Sequence, residues 1–355
     1  MSHRLGIQAA HVLEMEVVTG QGEVLVCNND QNRDLFDSAR GGLGQCGIIT
    51  SVTIPLIKAP KKICTFKLFY HARDATVFSE DLKTFIESDQ IEMIHAFVKP
   101  CTRKSISTIV GSGALASSSR TFLSSIDEAE PRGGLVFFLE LGCYKGGDEL
   151  RDASRLKLIE KTLLSKARCI GGEYFSEESD FQTHITKDPP VVETNKAHGT
   201  VPHPSFATIL AEEHLVSLLE RHLCSSNRGD DSTNEILIMP IKSNSSLNTG
   251  YHSPMFPMPE DSELSFFLLF LGSVIPRPGE GATEIMSALR SHHRDLYKLS
   301  ISLGGKRYSY DTITNEVSGE KEWKEHFGSS WENLVLAKRK HDPHHVLCPG
   351  IKMWS

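Results

Sequence analysis

The stretch "ARGGLGQCGIIT", from Ala39 to Thr50, carries glycines at 42, 44 and 47, the G-x-G-x-x-G spacing of a dinucleotide-binding loop. Such a loop follows a strand and opens a helix, because the orphan N–H groups and positive end of that helix hold the pyrophosphate. Here the order is reversed. Upstream, "NNDQNRDLFDSARGG" reads as a short helix with Asn29 or Asp30 as N-cap, Leu35 and Phe36 inward, and Gly41 as the stop. Downstream, "GIITSVTIPL" is a β-branched strand running to Pro55. The helix offers the glycines its partly negative C-terminus, so an NAD-type Rossmann site is not expected. Before that helix, "VLEMEVVTGQGEVLVC" (Val12 to Cys27) reads as a hairpin around Thr19-Gly20-Gln21-Gly22.

Beyond an "APKK" linker at Ala59 to Lys62, strands and long amphipathic helices alternate. Strands are expected at "ICTFKLFY", Met93 to Val110, Leu135 to Gly142, Glu235 to Ile241 and Glu263 to Val274. Helices are expected at Asp74 to Glu87 (capped), Asp148 to Ala167, Ala211 to His222 and Gly281 to Leu299, with "SGALASSSR" from Ser112 as a polar loop. The pattern is α+β, with helices over one face of a mainly antiparallel sheet. The tail reads as a helix around Trp331 to Lys340 closed by Asp342-Pro343, and it must dock, since Trp323, Phe327, Trp331, Leu334 and Val335 would otherwise be exposed.

With 355 residues the chain has room for about two domains. A net charge of −7 without any long Lys/Arg run argues against a nucleic-acid partner. "LSFFLLFLGSVI" (Leu264 to Ile275) is far short of the roughly 20 apolar residues a bilayer requires, and "MSHRLGIQAA" lacks a signal-peptide core. Eight scattered cysteines without a C-x-x-C pair read as buried free thiols. His341, His344 and His345 lie across Pro343, which breaks the helical face a metal site would use, so a post-helix turn is expected and no metal. G-x-S-x-G and H-E-x-x-H are absent. "GTVPHPSF" (Gly199 to Phe206), with Glu193, Asn195 and Lys196 upstream, either lines a pocket or forms a structural turn. Tyr308 and Tyr310, two apart in "KRYSYD", would share one face of a strand, lining a pocket or core.

Taken together, these stretches resemble the cytokinin dehydrogenases, within the vanillyl-alcohol-oxidase type of flavoprotein. "DLFDSARGGLGQCGIIT" is similar to the family's Asp-Leu-Phe followed by Gly-Gly-Leu-Gly-Gln-Phe-Gly-Ile-Ile-Thr, with Cys46 for the phenylalanine. "GIQAAHVLEMEVVTGQGE" from Gly6 follows another family segment with Ile7 and His11 as departures; "VPHP" (Val201 to Pro204) and the closing "HFG..W......K...DP...L.PG" from His326 match two more. The glycine segment and the ending are shared more loosely with sugar and aldonolactone oxidases.

The resemblance implies FAD and a flavin domain split in sequence: residues 1–62 as its later part, 63–306 as an inserted substrate domain, and 307–355 returning to the flavin domain. The implied chemistry is oxidation of the secondary amine of N6-substituted adenines by hydride transfer to flavin N5, giving adenine and an aldehyde, with a quinone-like electron acceptor. The backbone at Ile48 and Ile49 should contact FAD, and Tyr310 fits the family's tyrosine near the flavin. Cys348 and Ile351 stand where the family has serine and glutamine, and Glu193 is the candidate acid for the adenine ring. The family's Gly-Arg-Gly-His-Ser loop and Trp-Thr-Asp segment would lie upstream of Gly6, where Met1 leaves no room. The expectation is therefore a truncated flavin domain, no tightly held flavin in this chain alone, and either an enzyme of this family, a sugar-alcohol or aldonolactone oxidase, or a non-catalytic remnant acting as a binding module.

Overall fold

The computed structural model describes residues 3–129, 134–186, 201–225, 235–242, 256–259, 262–275, 281–308, 319–348 and 353–354. Within them, β1 (Glu14–Val18) and β2 (Val24–Asn28) form the hairpin, α1 (Arg33–Ala39) follows, and β3 (Ile48–Thr53) pairs antiparallel with β1. The order is β2-β1-β3. A register shift after Glu16 leaves Thr50 outside the ladder, and its hydroxyl donates to Glu16 Oε1 at 2.6 Å.

A second sheet runs β11-β8-β10-β9-β5-β6-β4-β7, antiparallel throughout. Its strands are β4 (Lys62–His71), β5 (Met93–Pro100), β6 (Leu135–Lys145), β7 (Tyr174–Asp180), β8 (Ser205–Ala211), β9 (Glu235–Lys242), β10 (Leu264–Leu271) and β11 (Lys306–Arg307). Between them come α2 (Ala75–Glu87), α3 (Arg103–Val110), α4 (Ser112–Ala116), α5 (Arg120–Ala129), α6 (Glu149–Thr162) and α7 (Phe181–Ile185). Then follow α8 (Leu215–Ser225), α9 (Ala282–Ser302), α10 (Glu320–Phe327) and α11 (Trp331–His341).

One sheet face buries Phe66, Leu68, Phe137, Leu139, Phe206 and Phe270 beneath α2, α6, α8 and α9, which contribute Phe78, Leu82, Ile159, Leu218, Leu296 and Tyr297. Strand alternation sends the other residues to the opposite face. There Phe69, Val136 and Phe138 meet Ile106, Leu115, Phe122 and Ile126 of α3 to α5. Further along, Ala207, Ile209, Ile241 and Phe267 meet Ile7 from the start of the chain. Helices therefore cover part of both faces, where one was expected. The difference lies at 103–129: β-branched Ile106, Thr108, Ile109 and Val110 suggested a strand, but the Thr102 side chain accepts from Ser105 N and starts a helix. The stretch read as a polar loop holds α4 and the first residue of α5. Asp148 caps α6 through Arg151 N at 3.1 Å, whereas Asp74, at the N-cap of α2, makes no such bond.

The three-stranded sheet has its own core. Met15, Val17, Cys27, Leu35, Phe36 and Cys46 pack with Trp323, Phe327, Trp331, Leu334, Ala337 and Met353, so the tail docks as its aromatic content requires. Val335 is partly buried against the same cluster. Of the eight free cysteines six are buried, and Cys224 and Cys348 are exposed.

Candidate functional site

Gly42, Gly44 and Gly47 each have a packing reason. A Cβ on Gly42 would stand 2.3 Å from Ser38 O at the end of α1, and one on Gly47 2.2 Å from Val17 Cγ1. Gly44 has φ +72 and would meet Cys348 Sγ at 2.8 Å. Their spacing thus answers to α1, β1 and the closing segment, rather than to a phosphate.

That turn is clasped by the C-terminal residues. Lys338 Nζ, on a side chain 1% exposed, donates to Gln45 O at 2.9 Å, Asp342 Oδ2 at 2.5 Å and Leu347 O at 3.2 Å. Asp342 also accepts from Val346 N and Leu347 N, both at 3.0 Å. Burial alone would raise the Asp342 carboxyl, but the Lys338 ammonium and these two amides hold it below its ordinary value. The Gln45 side chain accepts from Trp354 Nε1 at 2.7 Å and reaches Cys348 O at 3.4 Å.

Beside the turn lies a shallow cleft, open to solvent, with about 10 Å³ of room, roughly that of one water. Gly41 and Leu43 of the turn, Trp323 and His326 of α10, Arg307 and Tyr308 at the end of β11, and Phe256 and Pro257 line it. The Tyr308 ring lies 4.6 Å from Phe267 and 5.6 Å from Phe256. Arg307 Nε donates to the Tyr297 hydroxyl, and Arg307 Cζ stands 4.8 Å over the Trp323 ring. Trp323 is 2% exposed, and its Nε1–H is buried without a hydrogen-bond partner. An orphaned buried donor costs about 1–3 kcal/mol. Burial, then the nearby cations Arg307 and Lys306, push the His326 imidazole down to about 3 and keep it neutral.

Ile48 and Ile49 lie on β3, directly after this turn, and are 58% and 44% exposed. Cys348 has φ 46 and stands against Gly44. The turn from Gly41 to Ile48 therefore connects the cleft, Cys348 and β3. Glu193, Asn195, Lys196, Tyr310 and Ile351 lie outside the described residues; Tyr308, two positions before Tyr310, is the tyrosine on the cleft. Arg307, Trp323 and His326 were not among the sequence candidates. The available signal was an indole in a tail that had to dock, since a buried tryptophan ordinarily finds a partner for its N–H.

Val-Pro-His-Pro has no regular secondary structure and leads into β8, held alongside the residues that follow β10. Gly272 N donates to Pro204 O and Val274 N to Pro202 O, and His203 Nδ1 lies 3.0 Å from Ser273 Oγ. His341 Nε2 sits 2.9 Å from Asp34 Oδ2, and the residues after it turn as expected. Among the described residues no group of three His, Cys, Asp or Glu side chains is arranged to hold a metal ion, and no helix is long and apolar enough to cross a membrane.

A guanidinium and aromatic side chains line this cleft. The family model described as "Cytokinin dehydrogenase 1, FAD and cytokinin binding" matches residues 60–354. Cytokinin dehydrogenase 9 of Oryza sativa subsp. japonica is 28% identical over 361 residues, covering 99% of this chain and 63% of that protein. Cytokinin dehydrogenase 1 of Arabidopsis thaliana is 27% identical over 365 residues, covering 99% and 58%. The chain thus spans less than two thirds of the length of either. Among solved structures, a xylooligosaccharide oxidase from Myceliophthora thermophila C1 superposes with a TM-score of 0.60 at 16% identity, covering 97% of this chain and 66% of that one. At that identity the likeness shows the fold alone.

Proposed function

The chain belongs to the cytokinin dehydrogenase family of FAD-linked oxidoreductases, and from that premise we propose that it carries the substrate-binding and closing parts of an enzyme that oxidises the secondary amine of N6-substituted adenines. Bound FAD would supply the hydride acceptor. The match of the family model over residues 60–354, with the aromatic cleft beside the glycine turn, is what carries this reading. Arg307, Tyr308 and Trp323 would hold the ring system, and the turn before Ile48 and Ile49 would present backbone to it. Lys338 fixes that turn against the segment bearing Cys348. The eight-stranded sheet, with Val-Pro-His-Pro leading into β8, would form the purine side, and Glu193 stays our candidate for contact with the adenine ring. We keep 1–62, 63–306 and 307–355 as the proposed division into flavin, substrate and returning segments, and a quinone-like compound as the proposed electron acceptor.

Titration calorimetry with isopentenyladenine and with an aldonolactone tests the substrate class. The purine should bind and the lactone should not. Binding of the lactone alone would move the protein to the sugar-oxidase reading, and binding of neither would favour a module of another kind.

A further inference from the structure

Cys64 and Cys143 are directly opposite each other on the neighbouring antiparallel strands β4 and β6. Their side chains enter the same core. Cys64, Phe66 and Leu68 alternate along β4 as Cys143, Leu141 and Leu139 do along β6, and all six belong to one buried cluster. Opposite residues of an antiparallel pair stand about 4.5–5.5 Å apart at Cα, inside the roughly 4.4–6.8 Å that a disulfide spans. Among the described residues no other two cysteines share a rung of a ladder. On its other side Cys64 faces Glu178 of the edge strand β7, which accepts from Lys62 and Lys145. A lone buried thiol packs as a small apolar group; two on one rung can also be joined with little movement of the backbone.

We infer that Cys64 and Cys143 are a redox-modification site, at which a small-molecule disulfide such as glutathione disulfide converts the two thiols into a cross-strand disulfide. The chemistry is thiol–disulfide exchange in two steps. Cys64, 8% exposed against 0% for Cys143 and one strand from the sheet edge, reacts first. Its thiolate bonds to one sulfur of glutathione disulfide and expels the other as glutathione thiolate. The Cys143 thiolate then bonds to Cys64 Sγ and expels the second glutathione. The two protein thiols give up two electrons and two protons, and the S–S bond of the oxidant becomes two thiols. The product closes the chain from β4 through α2, β5 and α3 to α5 into a covalent loop, which limits how far that part of the sheet can open.

Both thiols are held in reserve at neutral pH. Burial, then Glu178 and Glu160 against Lys145, raises Cys64 to about 11. Burial, then Glu92 and Cys64 against Arg155 and Arg4, raises Cys143 to about 12. Only the thiolate reacts, so cross-linking should speed up about tenfold per pH unit below those values.

The test incubates the reduced, folded full chain with glutathione disulfide at pH 7, 8 and 9, quenches it with an alkylating reagent in denaturant, and maps its peptides by mass spectrometry without reduction. Wild type should yield a linked peptide pair joining Cys64 to Cys143, lighter by two hydrogens and released by dithiothreitol, with the rise in rate stated above. Amide exchange in β4, β5 and β6 should slow in the oxidised chain. C143S should stop at glutathione on Cys64, and C64S should leave Cys143 free to be alkylated. The exposed thiols Cys224 and Cys348 take up glutathione in every sample and report that the oxidant is active. The wild-type map decides the matter even if neither variant folds. Cys64 and Cys143 both alkylated in wild type overturns the inference, and so does a link that forms only in urea or joins a different pair.

Discussion

Lys338 and Asp342, one helical turn apart at the end of α11, form an ion pair of 2.5 Å whose side chains are 1% and 0% exposed. Three segments meet on it: the glycine turn through Gln45 O, the closing loop through Leu347, and the hairpin turn through Gly20, pressed against Asp342. Removing one partner of a buried pair leaves the other charge uncompensated. Lys338→Met should therefore destabilise the three-stranded sheet and its tail by about 3–5 kcal/mol. Hydrogen exchange would read this as loss of protection in the amides of 44–49 and 346–347, with the eight-stranded sheet unaffected.

The same pair sets an acid limit. Because the folded Asp342 carboxyl titrates below its unfolded value, its contribution is complete above the ordinary carboxylate range and is lost as pH falls through the depressed folded value. Asp342→Asn should lower stability at neutral pH and flatten the pH dependence at the acid end, which denaturant titrations from pH 7 to pH 3 would show.

Two neighbouring glycines should respond differently to the same change. A Cβ on Gly20 would lie 2.2 Å from Asp342 Oδ1, so Gly20→Ala must displace the clasp and should cost about 1–3 kcal/mol. Gly22 has φ +80 with open space around its Cβ position, so Gly22→Ala carries only the left-handed backbone penalty of about 1–2 kcal/mol. Thermal melts would rank the two, and exchange rates at Val346 and Leu347 should rise only for Gly20→Ala.

Buried histidines give the fold a second, broader pH dependence, four of them, of six lowered among the described residues, most strongly. Burial lowers His3 and His95 to about 4 and His293 and His326 to about 3. All four are lowered, so the unfolded chain takes up protons first as pH falls. Their contribution is complete above about 6.5 and is lost as pH descends toward the folded values. Each adds a slope of about 1.4 kcal/mol per pH unit across that window. His293, against Phe206 and Phe270 with Nδ1 unpaired, is the one to replace: His293→Phe should reduce the slope by one histidine's share in urea titrations at pH 7, 6, 5 and 4.

The order helix, glycines, strand was legible because each step is local: Leu35 and Phe36 fix the inner face of α1, and the β-branched run after Gly47 fixes β3. It was enough to set aside a Rossmann loop. The tail's need to dock was legible for the same reason, as five apolar side chains on a short segment have to be covered. The cleft was not, because it depends on pairs far apart in sequence. Gln45 and Lys338 are 293 positions apart, and the place of β11 beside β8 brings Arg307 to the glycine turn only once the sheet order exists. Local pattern misled at 103–110, where a β-branched run is overruled by the Thr102 cap and by Ile106 finding the second sheet face.

The central claim, that flavin occupies the seam between the glycine turn and α10, is tested most directly by the three tryptophan indole resonances of the ¹⁵N-labelled chain during an FAD titration. Trp354 Nε1–H already donates to Gln45, and Trp331 stacks on Trp354 at 5.1 Å within the small core. Trp323 alone of the three lines the cleft, and its Nε1–H is buried without a partner. We expect its resonance to shift with added FAD and its solvent exchange to slow, and Trp323→Phe to weaken FAD binding. FAD binding that leaves the Trp323 resonance unmoved would contradict the account.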